Sequence, residues 1–224
     1  MGFRRAAVSF FLRSVINSIC RIDCREYLEA LSKNKPLIVI FNHINFLEVP
    51  ILVAHSYPMN VTGLVKSETW KNPFFAFLFN SYNAVPINRA GSFSLAFRRV
   101  KEAIDNGYYM CIAPEGTRSA NGVLGRGKAG VVQLAIDAGV PILPVAHYGG
   151  ENVWGNLKRL KRTSICFKAG RAFRIKLEGK PSKEEREMII TEVMGQIARL
   201  LPERMRGIYS DQAEKECKYL EFPQ

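Results

Sequence analysis

Short apolar runs alternate with longer stretches of helical period along most of this chain. The runs at 18–24, 37–41, 61–65, 84–88, 108–113, 142–147, 163–168 and 172–177 are strand-length. The stretches at 46–55, 68–80, 93–106, 128–138 and 182–201 are helix-length. This order predicts an α/β fold: a central mixed, largely parallel sheet of about seven to eight strands, covered by helices. The last helix carries its own start signal, Ser182-Lys183-Glu184-Glu185 after Pro181, and an apolar stripe of Ile189, Val193, Ile197 and Leu200. Val140-Pro141-Ile142-Leu143-Pro144-Val145 holds two prolines and predicts an irregular or edge strand. No repeat, low-complexity tract or linker interrupts 21–224, which reads as one domain.

Residues 1–20 predict an amphipathic helix ahead of that domain. Phe3, Ala7, Phe11, Val15 and Ile19 recur every four residues, with Arg5, Ser9, Arg13 and Asn17 on the other side. A terminal basic helix of this kind is expected to lie in a membrane interface, aromatic face down. Thirty-two basic against twenty acidic residues give a net charge of +12, which favours anionic partners. No helix-turn-helix, zinc or RNA-recognition signature accompanies that charge, so nucleic acid is not the expected partner. The densest basic run, Lys158 to Arg162, reads as a solvated face or loop. No apolar run reaches the roughly 18 residues of a spanning helix. The expected location is therefore peripheral or monotopic, on the cytoplasmic face of a membrane. Cys20, Cys24, Cys111, Cys166 and Cys217 are scattered without a C-x-x-C. That pattern predicts reduced thiols and no metal site.

Polar groups collect where predicted strands end, the usual place for function in an α/β sheet. The run 37–41 ends in Asn42-His43, with Glu48 five residues after the histidine at the start of a helix. A carboxylate brought back to the imidazole would fix its tautomer and leave one nitrogen as a base. The run 108–113 leads into Pro114-Glu115-Gly116-Thr117-Arg118-Ser119. Gly116 permits close backbone approach, Thr117 offers a hydroxyl, and Arg118 presents a fork suited to phosphate. The run 84–88 leads into Arg89-Ala90-Gly91-Ser92, a third possible phosphate contact.

In this order the blocks resemble the 1-acyl-sn-glycerol-3-phosphate acyltransferase family. Asn42-His43-Ile44-Asn45-Phe46-Leu47-Glu48 is similar to its Asn-His-x4-Asp block, with glutamate where aspartate is usual. Val85-Pro86-Ile87-Asn88-Arg89 resembles the second block, Glu115–Ser119 the Glu-Gly-Thr-Arg-Ser block, and Val140–Val145 the fourth. Gly125-Arg126-Gly127-Lys128-Ala129-Gly130 looks like the lysine-glycine stretch between the last two, and Lys66–Phe79 like the family's linker. The likeness runs from about Arg21 to Tyr209.

The resemblance implies transfer of a fatty acyl group from acyl-CoA or acyl carrier protein to the free hydroxyl of 1-acyl-sn-glycerol 3-phosphate, in phospholipid biosynthesis. His43 would be the general base and Glu48 its orienting carboxylate. Arg89, Arg118 and Lys128 would hold the acceptor phosphate, and Glu115 would organise those arginines or a second hydroxyl. Gly116 and Thr117 complete the acceptor site, with backbone N–H groups near Gly116 facing the oxyanion. No cofactor is implied beyond the thioester. Trp70, Phe74, Phe75, Phe77, Leu78 and Phe79 are expected to line the acyl channel or touch the membrane. Another lysolipid, such as lyso-ornithine lipid, as acceptor and a non-catalytic lipid-binding relative remain open alternatives.

Overall fold

The computed structural model describes residues 2–88, 94–119, 121–177 and 179–223. Seven strands form one sheet: β1 (Cys20–Asp23), β2 (Ile38–Phe41), β3 (Val61–Lys66), β4 (Val85–Ile87), β5 (Tyr109–Ile112), β6 (Ile142–Tyr148) and β7 (Thr163–Ala169). Their order is β1-β7-β6-β2-β5-β3-β4. Strands β2 to β6 run parallel, while β1 and β7 pair parallel with each other and antiparallel to β6. The central β2 and β5 are buried along their whole length, as both-sided burial of a parallel sheet demands.

One face is covered by α1 (Gly2–Ile19), α2 (Arg25–Lys33), α3 (Glu48–His55) and α4 (Pro73–Ser81). The other is covered by α5 (Ser94–Asp105), α6 (Gly130–Ala138) and α8 (Lys183–Leu200). A short α7 (Val153–Lys158) links β6 to β7. The expected capping box closes the start of α8: Ser182 Oγ accepts from Glu185 N at 3.1 Å, and Glu185 Oε2 accepts from Ser182 N at 2.8 Å. The expected helix at 68–80 splits into a 3-10 turn, Ser67–Lys71, and α4. Pro73 restarts the helix, and Asn72 Oδ1 accepts from the N–H groups of Phe74 and Phe75.

Two strand expectations are corrected. The run at 172–177 does not extend the main sheet. Its strand β8 (Arg174–Ile175) pairs instead with β9 (Leu220–Glu221) near the C-terminus. The proline-bearing β6 is irregular, as expected, but it is an interior strand and not an edge. The ladder to β7 reaches Val145↔Ala169, and the next bridge is Ile142↔Phe173. Pro144, which has no N–H to donate, falls in that interruption, and its carbonyl accepts from Gly170 N at 2.9 Å.

Helix α1 turns the side bearing Arg5 and Ser9 to the protein and leaves its aromatic side outward, the orientation expected from the sequence. Arg5 and Ser9 are buried, whereas Phe3, Phe10, Phe11 and Val15 are exposed, Phe10 by 75%. The Arg5 guanidinium donates to the carbonyl of Val61 at 2.5 Å and to Asn60 Oδ1 at 3.2 Å. Arg13 donates to the carbonyls of Ala54, His55 and Tyr57 at 2.6–2.9 Å, reaching the last two carbonyls of α3 and one in the turn beyond it. Ile19 does not join the exposed stripe but is half-buried against the core. A four-residue spacing overshoots the helical turn by about 40° each step, so the stripe has wound to the protein side by its fifth member. No helix among the described residues is long and apolar enough to cross a membrane.

Candidate active site

The site is built at the carboxyl edge of β2, where buried apolar residues give way to Asn42 and His43. Asn42 is buried and pairs with the backbone of the neighbouring strand. Its Nδ2 donates to the His147 carbonyl at 2.9 Å, and its Oδ1 accepts from His147 N at 2.8 Å. This clamp fixes where the chain leaves the sheet. The next turn folds over so that Glu48, first residue of α3, faces back toward His43.

His43 Nδ1 lies 3.2 Å from Glu48 Oε2, with the histidine side chain 23% exposed and the glutamate 1%. The second oxygen, Oε1, accepts from Ile44 N and Asn45 N at 2.5 Å each and faces His147 Nε2 at 3.1 Å. Burial pushes the Glu48 carboxyl up, but hydrogen bonds from His147 and His43 outweigh it and hold the pKa at about 2. Ionised Glu48 is an acceptor only, so His43 Nδ1 carries the proton and Nε2 is left as the basic nitrogen.

Among the described residues Glu115 is engaged by backbone N–H groups and not by an arginine. It is buried, its Oε1 accepts from His43 N at 2.7 Å, and its Oε2 accepts from Gly125 N at 2.7 Å. Burial raises its pKa, against the lowering by those two backbone N–H groups. From the same turn Ser119 N donates to the His43 carbonyl at 2.7 Å. The 115–119 turn therefore grips the His43 backbone on both sides. Gly116 has φ +68°, and a side chain there would meet Lys128 at 3.1–3.3 Å. Thr117 and Arg118 are exposed on this turn. Arg89 lies outside the described residues.

A cavity of about 400 Å³ is lined by His43, Gly116 and Lys128 together with apolar Leu64, Val65, Ile87, Cys111, Val131 and Leu134. The aromatic residues expected as channel lining are not among its walls. Phe74, Phe75 and Phe77 are exposed on α4, and the Trp70 ring lies tilted against Phe79 with centroids 5.2 Å apart, on the surface that α4 shares with α1. The cavity walls come from β3, β5 and α6, elements whose apolar residues look like ordinary core when read in sequence.

His147 is the member that sequence reasoning missed. It is fully buried, and its Nε2 also lies 2.7 Å from the Asn42 carbonyl. Its position two residues past the Val140–Val145 block was the available signal. The adjacency of β6 to β2, which makes it meaningful, was not legible.

A model of the acyltransferase family matches residues 22–148, from β1 to the end of β6. The 1-acyl-sn-glycerol-3-phosphate acyltransferase of Pseudomonas aeruginosa is 30% identical over 121 residues, 52% of this chain and 46% of that protein. The protein of the same name from Borreliella burgdorferi is 28% identical over 126 residues, 55% and 50%. These matches span about half the length of the relatives. The crystal structure of the 1-acyl-sn-glycerophosphate (LPA) acyltransferase from Thermotoga maritima aligns with a TM-score of 0.62 at 22% identity, over 84% of this chain and 76% of that one, a likeness of fold. With all of its imidazole–carboxylate site inside a match to more than half of its length, this chain belongs to the acyltransferase family.

Proposed function

We propose that this protein transfers a fatty acyl group from a thioester, acyl-CoA or acyl carrier protein, to the free hydroxyl of 1-acyl-sn-glycerol 3-phosphate. The observation that carries this reading is the 3.2 Å His43–Glu48 pair opening onto a mainly apolar cavity beside Lys128. The acceptor hydroxyl gives its proton to His43 Nε2 as its oxygen attacks the thioester carbonyl. Ionised Glu48 stabilises the imidazolium. The carbon–sulfur bond then breaks, and the proton passes from His43 to the leaving thiolate. Phosphatidic acid and a free thiol result. The thioester is already activated, so no cofactor enters. General-base help of this kind is worth about 10²–10⁴ in rate.

The acyl chain occupies the apolar cavity. Lys128 and Arg118, with Arg89, hold the acceptor phosphate, a contribution of position. The exposed aromatic face of α1 and the phenylalanines of α4 rest on an anionic membrane surface, which presents the lysolipid. The names of the Pseudomonas and Borreliella relatives support the acceptor assignment.

The test is acyl transfer to lysophosphatidic acid with each carrier, beside His43→Ala and beside a phosphate-free acceptor of the same chain length. The expected result is thioester consumption that falls at least a hundredfold with His43→Ala and with the phosphate-free acceptor. Equal consumption by wild type and His43→Ala would remove the proposed base.

A further inference from the structure

The basic run Lys158-Arg159-Leu160-Lys161-Arg162, from the end of α7 to β7, is exposed throughout, as the sequence suggests, and carries an apolar residue at its centre. Leu160 at its tip is 94% exposed, the most exposed large apolar side chain among the described residues. Its φ is +53°, a left-handed position that glycine or asparagine usually takes. The backbone holds it there: Leu160 N donates to the Leu157 carbonyl at 3.0 Å, and Lys161 N to the Asn156 carbonyl at 2.9 Å. The four flanking cations are exposed, and none forms an ion pair among the described residues.

The fold sets this run at the same edge of the sheet as the active site. Thr163, which opens β7, is level with Cys20 in parallel β1, and antiparallel pairing puts it beyond the end of β6. The run therefore sits at the carboxyl edge of the parallel strands, the edge that bears His43. Two contacts fix it. Arg162 donates to the carbonyls of Asn17 and Cys20 at 2.6 and 2.7 Å, tying the run to the end of α1. At the other end of α7, Trp154 is 60% exposed and stacks on Phe46 of the His43–Glu48 turn, with centroids 5.3 Å apart.

We infer that the Trp154–Arg162 segment is a second membrane contact, docking on an anionic bilayer so that the His43 edge is held against the surface that supplies lysolipid. This rests on the membrane-surface reading above and extends it beyond α1 and α4. Four exposed cations with no ion pair among the described residues, set around a projecting leucine with an exposed tryptophan at the start of the preceding helix, match a surface that is anionic outside and apolar beneath. A soluble acidic carrier would account for the cations but leave Leu160 facing water. The run is also continuous with α1 through Arg162.

The experiment is co-sedimentation of the full chain with vesicles of phosphatidylcholine and phosphatidylglycerol, and with phosphatidylcholine alone, without any acyl donor. Leu160→Asn suits the left-handed backbone, so folding is kept, and thermal melts check it. Leu160→Asn is expected to weaken binding to the mixed vesicles several-fold. Lys158→Gln with Lys161→Gln is expected to weaken it by on the order of tenfold and to reduce the preference for anionic vesicles. Turnover of detergent-dispersed acceptor should stay at the wild-type level. Wild-type vesicle binding by both variants would overturn the inference. So would unchanged vesicle binding with a raised KM for acyl carrier protein, which would make the run a carrier dock. Binding is read without turnover, so a protein that binds through this run yet acylates no lysophosphatidic acid would refute the proposed function and leave this inference standing.

Discussion

Glu48 Oε1 and His147 Nε2 lie 3.1 Å apart, so one carboxylate serves two imidazoles, with His43 on its other oxygen. His147 Nε2 faces two acceptors, Glu48 and the Asn42 carbonyl, and must therefore donate. Its Nδ1 is buried without a partner among the described residues. Protonating it would bury an unpaired N–H, so the geometry favours a neutral ring that donates at Nε2 only. Each donor a carboxylate accepts spreads its charge and lowers its basicity.

His147 is accordingly a positioning residue for Glu48. His147→Phe keeps the stacking on Phe167, now at 5.3 Å, and removes the donor. More charge is then left on the carboxylate for the His43 imidazolium. Glu48 also loses one of the hydrogen bonds that hold its pKa down, so the acid decline in stability should begin at higher pH and kcat should fall about tenfold, while His147→Gln, which retains a donor, should recover part of both. An unmoved acid decline in His147→Phe would reduce His147 to packing.

Glu115 yields a prediction that separates the observed role from the one its motif suggests. A group binding the acceptor should affect KM when removed. A group holding two buried backbone N–H donors should affect stability and kcat. Glu115→Ala leaves the N–H groups of His43 and Gly125 unpaired, at about 1–3 kcal/mol each. We expect a lower Tm and a lower kcat with the KM for lysolipid within about twofold of wild type, measured by thermal melts and steady-state kinetics.

The layering of this fold was legible because apolar periods and polar strand ends repeat through the chain. The His43–Glu48 pair was also legible, since five residues across a strand–helix turn leave little freedom. Three features were hidden, each for a reason of topology. His147 and Asn42 are far apart in sequence and meet only because β6 lies beside β2. Glu115 reaches the His43 backbone only because β5 lies on the other side. The cavity is shaped by gaps between residues that individually look like core, whereas the phenylalanines of α4, more conspicuous in sequence, are exposed. In helix α1 both faces were legible, but not the means by which the polar one meets the protein: Arg13 satisfies carbonyls at the end of α3.

That division of faces can be tested by paired changes in α1. Phe10→Ser with Phe11→Ser alters exposed side chains and should leave Tm nearly unchanged while reducing vesicle binding at least tenfold. Arg13→Ala removes a donor from each of three carbonyls and should lower stability by about 1–3 kcal/mol in urea melts, with the aromatic face intact. The opposite pattern, a Tm loss from the phenylalanine pair, would mean that their apolar face is core.

Acid stability tests the electrostatics of the site. Glu48 has a folded pKa of about 2 against an ordinary 4.5, so the folded state favours its ionised form. Its contribution is fully present above pH 4.5 and is lost as pH falls from 4.5 through about 2, on the order of 3 kcal/mol over that window. Glu115 acts in the opposite sense, because its raised pKa makes protonation favourable to the folded state and offsets part of the loss. Glu48→Gln should therefore unfold more easily at neutral pH yet show a shallower decline between pH 4.5 and 2 than wild type, measured by urea melts at each pH. The same variant should lose about 10²–10⁴ in turnover, because an amide N–H facing His43 Nδ1 selects the tautomer protonated at Nε2 and removes the base. A parallel acid decline in wild type and Glu48→Gln would show that the carboxylate is not held ionised by its two histidines.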